Sequence, residues 1–201
     1  MGLHDFWNSV SAAGRGLPAS LNLDAPGLRS ADFWLTPQAV AGFEESDFEG
    51  LLSDDDRREL ADRVRDFQAV ASTVDPYDPA TREAVEQAGP HLRRIVEILD
   101  FDRYQDADAF RIGKRIERIL GLDRRPEVAG LTFRTGPDHA GSPSLRIEVE
   151  VPPELSRDIP RFLQAARHLR ERITLVARRE APDLLSYVFF HGPKQPLESA
   201  A

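Results

Sequence analysis

The feature that most constrains this chain is a change of hydrophobic period near residue 126. From there Ala129, Leu131 and Phe133 alternate with Gly130, Thr132 and Arg134. A turn-forming stretch follows, Gly136-Pro137-Asp138-His139-Ala140-Gly141-Ser142-Pro143, and then Leu145, Ile147, Val149 and Val151 alternate with Arg146, Glu148 and Glu150. A period of two places one set of side chains in a core and the other in water, as in an antiparallel hairpin. Val151-Pro152-Pro153 ends the second strand. From about Asp158 to Glu180 the period is helical, with Ile159, Phe162, Ala166, Leu169, Ile173 and Val176 on one stripe. Pro160 falls in the first turn, where a missing N–H costs little. Leu184 to Phe190 is apolar on both faces apart from Ser186, which predicts a central or doubly covered strand. A strand, helix and strand in sequence should cross over right-handed. The pattern predicts an α+β fold with a strand–strand–helix–strand unit, a small sheet packed on one long helix.

The preceding residues read as helices. Ser53-Asp54-Asp55-Asp56 has a capping serine and carboxylates where the positive end of a helix would lie. Leu60, Val64, Phe67, Ala71 and Val74 then recur at helical steps until Asp75-Pro76-Tyr77-Asp78-Pro79 breaks the pattern. A second helix carries Val85, Ala88, Leu92, Ile95 and Leu99, with a break or kink expected at Gly89-Pro90. A third, about Asp106 to Leu120, carries Phe110, Ile112, Ile116, Ile119 and Leu120 and stops at Gly121. Residues 1–53 show recurrent Gly and Pro and no sustained period, so they read as an irregular arm. The expected organisation is this arm, a helical subdomain over 54–122, the β-β-α-β subdomain over 123–193, and a tail over 194–201.

Composition narrows the function classes. Residues 1–100 carry 9 basic and 19 acidic side chains, and residues 101–201 carry 17 and 15. An acidic first half disfavours nucleic acid as a partner, because phosphate neutralisation needs Lys and Arg. The chain has no cysteine, which removes disulfides and thiolate metal sites and suits a reducing compartment. No apolar run approaches the ~20 residues of a membrane span, and Met1-Gly2-Leu3-His4-Asp5-Phe6-Trp7 lacks a secretory pattern. These observations predict a soluble cytoplasmic protein with no membrane partner.

Three sets of residues are candidates for function. Both tryptophans sit in Asp-Phe-Trp triplets, so Phe6, Trp7, Phe33 and Trp34 could anchor a partner protein; the competing expectation is that they fold back onto the protein's own core. Second, Pro137-Asp138, nine residues, then Glu148-Val149-Glu150 resembles the Pro-Asp…(Asp/Glu)-x-Lys signature of restriction-endonuclease-like nucleases. The resemblance implies Asp138, Glu148 and Glu150 as ligands of Mg²⁺ for phosphodiester hydrolysis, with Glu117 as a further acid. The motif departs from that family in having no Lys and in placing Asp138 in a turn, where Asp is a common turn former. Third, Ala165-Ala166-Arg167-His168 on the long helix and Val188-Phe189-Phe190-His191 resemble the cytosolic domain of cation diffusion facilitators. That domain has the same element order on a ferredoxin-like platform. The resemblance implies a dimerising, metal-sensing sheet with His168 and His191 near the metal. No Gly-x-Ser-x-Gly elbow and no phosphate-cradling glycine motif occurs. The favoured expectation is a non-catalytic protein with no cofactor, which binds a protein partner or a second copy of itself by adding a strand to its sheet. A metal-dependent nuclease and a metal sensor are the alternatives.

Overall fold

The structure is a computed structural model that describes residues 2–15, 43–71 and 81–193. The fold is α+β and divides into two compact units, residues 1–101 and 102–201.

The first unit is helical. Its helices are α1 (Leu3–Arg15), α2 (Asp54–Ala71) and α3 (Thr81–Leu99), with a 3-10 turn over Glu45–Phe48. The expectation of an irregular arm fails at its start, since residues 3–15 are helical. Phe6, Trp7 and Val10 recur at helical steps and are buried together. Phe6 meets Phe43 and Phe48 at 5.2 and 5.6 Å between ring centres, and Trp7 meets Phe101 edge-on at 4.4 Å. At the start of α2, the Ser53 hydroxyl accepts from the Asp56 N–H at 3.1 Å and donates to the Asp56 carboxylate at 2.7 Å, a reciprocal cap. Leu60, Val64 and Phe67 of α2 are buried, as are Ala88, Leu92, Ile95 and Leu99 of α3. Arg94 on α3 donates through Nε and Nη2 to the two oxygens of Glu59 on α2, at 2.8 and 2.9 Å. Of the break or kink expected at Gly89-Pro90, a break does not occur: α3 runs from Thr81 to Leu99 with Pro90 inside it. Proline removes one backbone bond, and the buried residues on both sides hold the helix against that loss.

The second unit contains α4 (Ala107–Leu120), β1 (Gly130–Pro137), β2 (Pro143–Glu150), the short α5 (Pro153–Arg157), α6 (Ile159–Glu180) and β3 (Leu185–His191). The helix over 107–120 therefore belongs with the sheet rather than with the helical half. Three local devices place it. The Asp106 side chain accepts from the Ala109 N–H at 2.8 Å and caps α4, and it also accepts from the N–H and hydroxyl of Thr135, both at 2.8 Å, which ties the helix start to β1. Gly121 ends the helix in the left-handed conformation at φ 59°. Midway, a Cβ on Gly113 would stand 2.7 Å from the Tyr104 ring and 2.8 Å from the Phe133 ring, so only glycine admits this approach.

The strands order β1-β2-β3, with β1 and β2 antiparallel and β2 and β3 parallel. The crossover between β2 and β3 is the α5–α6 segment. Leu131, Phe133, Leu145, Ile147 and Val149 face the helices and are buried with Phe110, Ile116, Leu169, Ile173 and Val176. One expectation is corrected here: among the described strands β3 lies at the edge of the sheet, not at its centre. An arginine lies over each of its two phenylalanine rings, one from β2 on the open face and one from α6 on the covered face. The Arg146 guanidinium lies 5.1 Å from the Phe189 ring and that of Arg170 lies 5.5 Å from the Phe190 ring.

Candidate functional site

The face of the sheet away from the helices is set by the strand register. Arg134 of β1 stands directly opposite Arg146 of β2, and Arg146 is in register with Tyr187 of β3. One rung along lie Thr132, Glu148 and Phe189. Together with Gly136 to His139 and Ser144, the first of these rungs lines a recess of about 340 Å³. A smaller hollow beside it is lined by Gln105, Thr132, Arg134, Arg146 and Glu148.

The recess is walled by fixed groups. The Asp138 carboxylate accepts from the N–H groups of Ala140 and Ser142 at 2.8 and 2.9 Å, and from the Tyr187 hydroxyl at 2.9 Å. The Ser142 N–H and the Tyr187 hydroxyl hold the carboxyl of Asp138 below the usual carboxylate range. Tyr187 is thereby anchored across the turn, and its own pKa is raised by the same bond. Arg134 and Arg146 are exposed, and neither has an ion pair or a side-chain hydrogen bond to a described residue. By contrast, Arg94, Arg103 and Arg111 each meet carboxylate oxygens at 2.8–3.0 Å.

The two edges of the sheet differ. Along the outer side of β1, the Phe133 N–H donates to the Arg103 carbonyl at 2.7 Å and the Phe133 carbonyl accepts from the Gln105 N–H at 3.1 Å. Residues 103–105 thus bridge the middle of that edge at Phe133. The outer edge of β3 has no such bridge among the described residues, and its Leu185 and Phe189 are 51% and 43% exposed.

The residues singled out from the sequence are dispersed. Asp138 lies beyond the Pro137–Pro143 pair that closes the hairpin, whereas Glu148 and Glu150 pair with Thr132 and Gly130 farther down the strands. At ~3.3 Å per residue, Pro143 and Glu148 are roughly 16 Å apart. The three carboxylates therefore do not converge, and Asp138 serves the turn. Glu117 is 4% exposed and accepts from the Tyr104 hydroxyl at 2.6 Å and from Arg103 at 3.4 Å. Burial pushes its carboxyl above the ordinary range despite those two donors. It forms a buried link between α4 and the 103–105 segment. His168 is exposed on α6; His191 lies on the open face beside Glu150, with Nδ1 2.8 Å from the Gly192 carbonyl. Phe190, next to His191, faces Arg170 of α6, so strand alternation sends His191 the other way. The two histidines are not brought together. Among the described residues no group of three His, Asp or Glu side chains is arranged to hold a metal.

Phe6 and Trp7 are buried in the helical unit, Trp7 to 1% exposure, so they hold α1 in place and offer no anchor at the surface. Phe33 and Trp34 lie outside the described residues. Arg134, Arg146, Tyr187 and Phe189 were not anticipated as a group. The available signal was the hairpin's symmetry: with Pro137 opposite Pro143, Arg134 must fall opposite Arg146.

Among the described residues no helix is long and apolar enough to cross a membrane. Comparison with protein-family models, with curated proteins and with solved structures found no match to this chain.

Proposed function

We propose that this is a non-catalytic protein-interaction or regulatory protein, that it works in the cytoplasm, and that β3 (Leu185–His191) receives a protein partner or a second copy of the chain. The observation that carries the reading is the position of β3. It is an edge strand with exposed apolar side chains and with a free row of backbone donors and acceptors among the described residues. Such an edge is a template for strand addition. The other edge, at β1, is bridged at Phe133 by residues 103–105, so the two edges are not equivalent. A chain without cysteine suits a reducing compartment. Neither the nuclease nor the metal-sensing alternative gains an observation, because the side chains each requires are spread over different places in the fold.

Site-directed photo-crosslinking in cells tests this. A photoreactive residue at Leu185 should give discrete adducts, and one at exposed Arg124 should not. An adduct of twice the chain's mass identifies a second copy, and any other discrete mass identifies a partner. Equal labelling from both positions, or none from Leu185, overturns the proposal.

A further inference from the structure

The recess beside β3 carries an inference that does not depend on the partner reading. We propose that Arg134 and Arg146 form a binding site for the phosphoryl group of a small molecule. The two residues are a directly opposed cross-strand pair on the open face. Like charges at such a pair, with Cβ atoms roughly 5 Å apart, destabilise a sheet. Neither guanidinium forms an ion pair with a described carboxylate, and the nearest acid on this face, Glu148, stands one rung along beside the smaller hollow. Several arginines of α6 are exposed as well, but Arg167 and Arg179 are paired with Glu171 and Glu180, and Arg170 lies over the Phe190 ring.

The pair is also organised for a ligand. The Arg146 guanidinium lies 5.1 Å from the Phe189 ring centre, a cation–π contact that uses none of its N–H groups in a side-chain hydrogen bond to a described residue. Tyr187, on the same rung, is tethered to Asp138 and forms a wall. The carboxylates of the recess bracket the anion's position. Asp138 lies at the turn end with three hydrogen bonds already satisfied, and Glu148 lies one rung along in the other direction. An anion is therefore favoured only on the Arg134–Arg146 rung between them.

Charge and shape then select the anion. Two guanidiniums present a charge of +2 and two planar forks. A phosphoryl group carries about −1.5 to −2 near neutral pH and three strong acceptor oxygens, enough to engage both forks at once. A single carboxylate has one charge and saturates one fork. A volume of about 340 Å³ is at the lower end of small-molecule sites, so the body attached to the phosphoryl group is small.

Titration of the ¹⁵N-labelled full chain in chloride buffer with inorganic phosphate, phenyl phosphate and benzoate tests the proposal. The phosphoryl ligands should shift the amide signals of Arg134, Arg146 and Tyr187 saturably. R134Q and R146Q should each weaken that binding at least about tenfold, while R172Q on α6 binds like the parent. Tighter binding of phenyl phosphate than of inorganic phosphate identifies a phosphomonoester as the source, and equal binding identifies the free anion. The proposal is overturned by benzoate binding as tightly as phenyl phosphate. It is equally overturned by R134Q retaining the parent's affinity, or by no saturable shift up to roughly 1 mM ligand, the weak end of specific recognition.

Discussion

On the covered face of the sheet, Leu131, Phe133, Leu145, Ile147 and Val149 are buried against two helices. On the open face, one residue along each strand, Arg134, Arg146 and Phe189 line the recess and Glu148 lines the smaller hollow beside it. The same three strands thus carry two chemistries, and the difference separates stability from recognition. The covered face gains by removing apolar surface from water and tolerates almost no change of volume. The open face keeps a like-charged arginine pair with no ion pair to a described residue, its one packing contact being that of Arg146 on the Phe189 ring. Retaining such a pair in a recess with fixed walls is how a binding surface differs from a solvated one.

Substitutions on the covered face should be the most damaging. Ile147→Ala removes a fully buried side chain from the central strand and should cost about 2–5 kcal/mol, measured by urea unfolding. A loss below about 1 kcal/mol would mean that the covered face is not the core described. Gly113→Ala is next, since the added methyl must displace the Tyr104 or Phe133 ring. A loss of about 1–3 kcal/mol is expected, and Gly113→Ser should be no better.

Glu117 gives a pH-dependent test of how the helix layer is held. Burial raises its carboxyl pKa in the folded state. The folded chain therefore keeps this proton to higher pH than the unfolded chain, and the group's contribution to stability is complete below the unfolded pKa of ~4.3. It is lost as pH rises through the folded value. Glu117→Gln should remove that decline, so its unfolding midpoint relative to the parent's should rise as pH increases above the ordinary carboxylate range. A difference independent of pH would contradict the raised pKa. The smallest effect is expected at Ser186, whose hydroxyl is buried without a partner among the described residues. Ser186→Ala should leave stability unchanged or raise it by about 1 kcal/mol.

The strand–strand–helix–strand order was legible in the sequence because the period changes from 3.6 to 2 at residues 126–129 and back at 158. The Ser53 cap, the Gly121 stop and the turn role of Asp138 were legible too, since each is a local preference with a local partner. Three things were not. The helix α1 was hidden because only Phe6, Trp7 and Val10 mark its buried apolar face, too few to set a period. The edge position of β3 was missed because apolar residues on both faces read as burial on both faces, whereas on the open face Phe189 has only the Arg146 guanidinium over its ring and stays 43% exposed. The arginine pair depended on register, which alternation alone does not give: a slip of one residue in one strand would have left the two guanidiniums unopposed.

The most direct test of the division between the two faces is the urea midpoint of R134Q in phosphate-free buffer. If the open face serves recognition, removing one of two opposed charges leaves the midpoint equal to the parent's or higher. A fall comparable to that of Ile147→Ala would show that Arg134 is part of what holds the fold together, and would contradict the account.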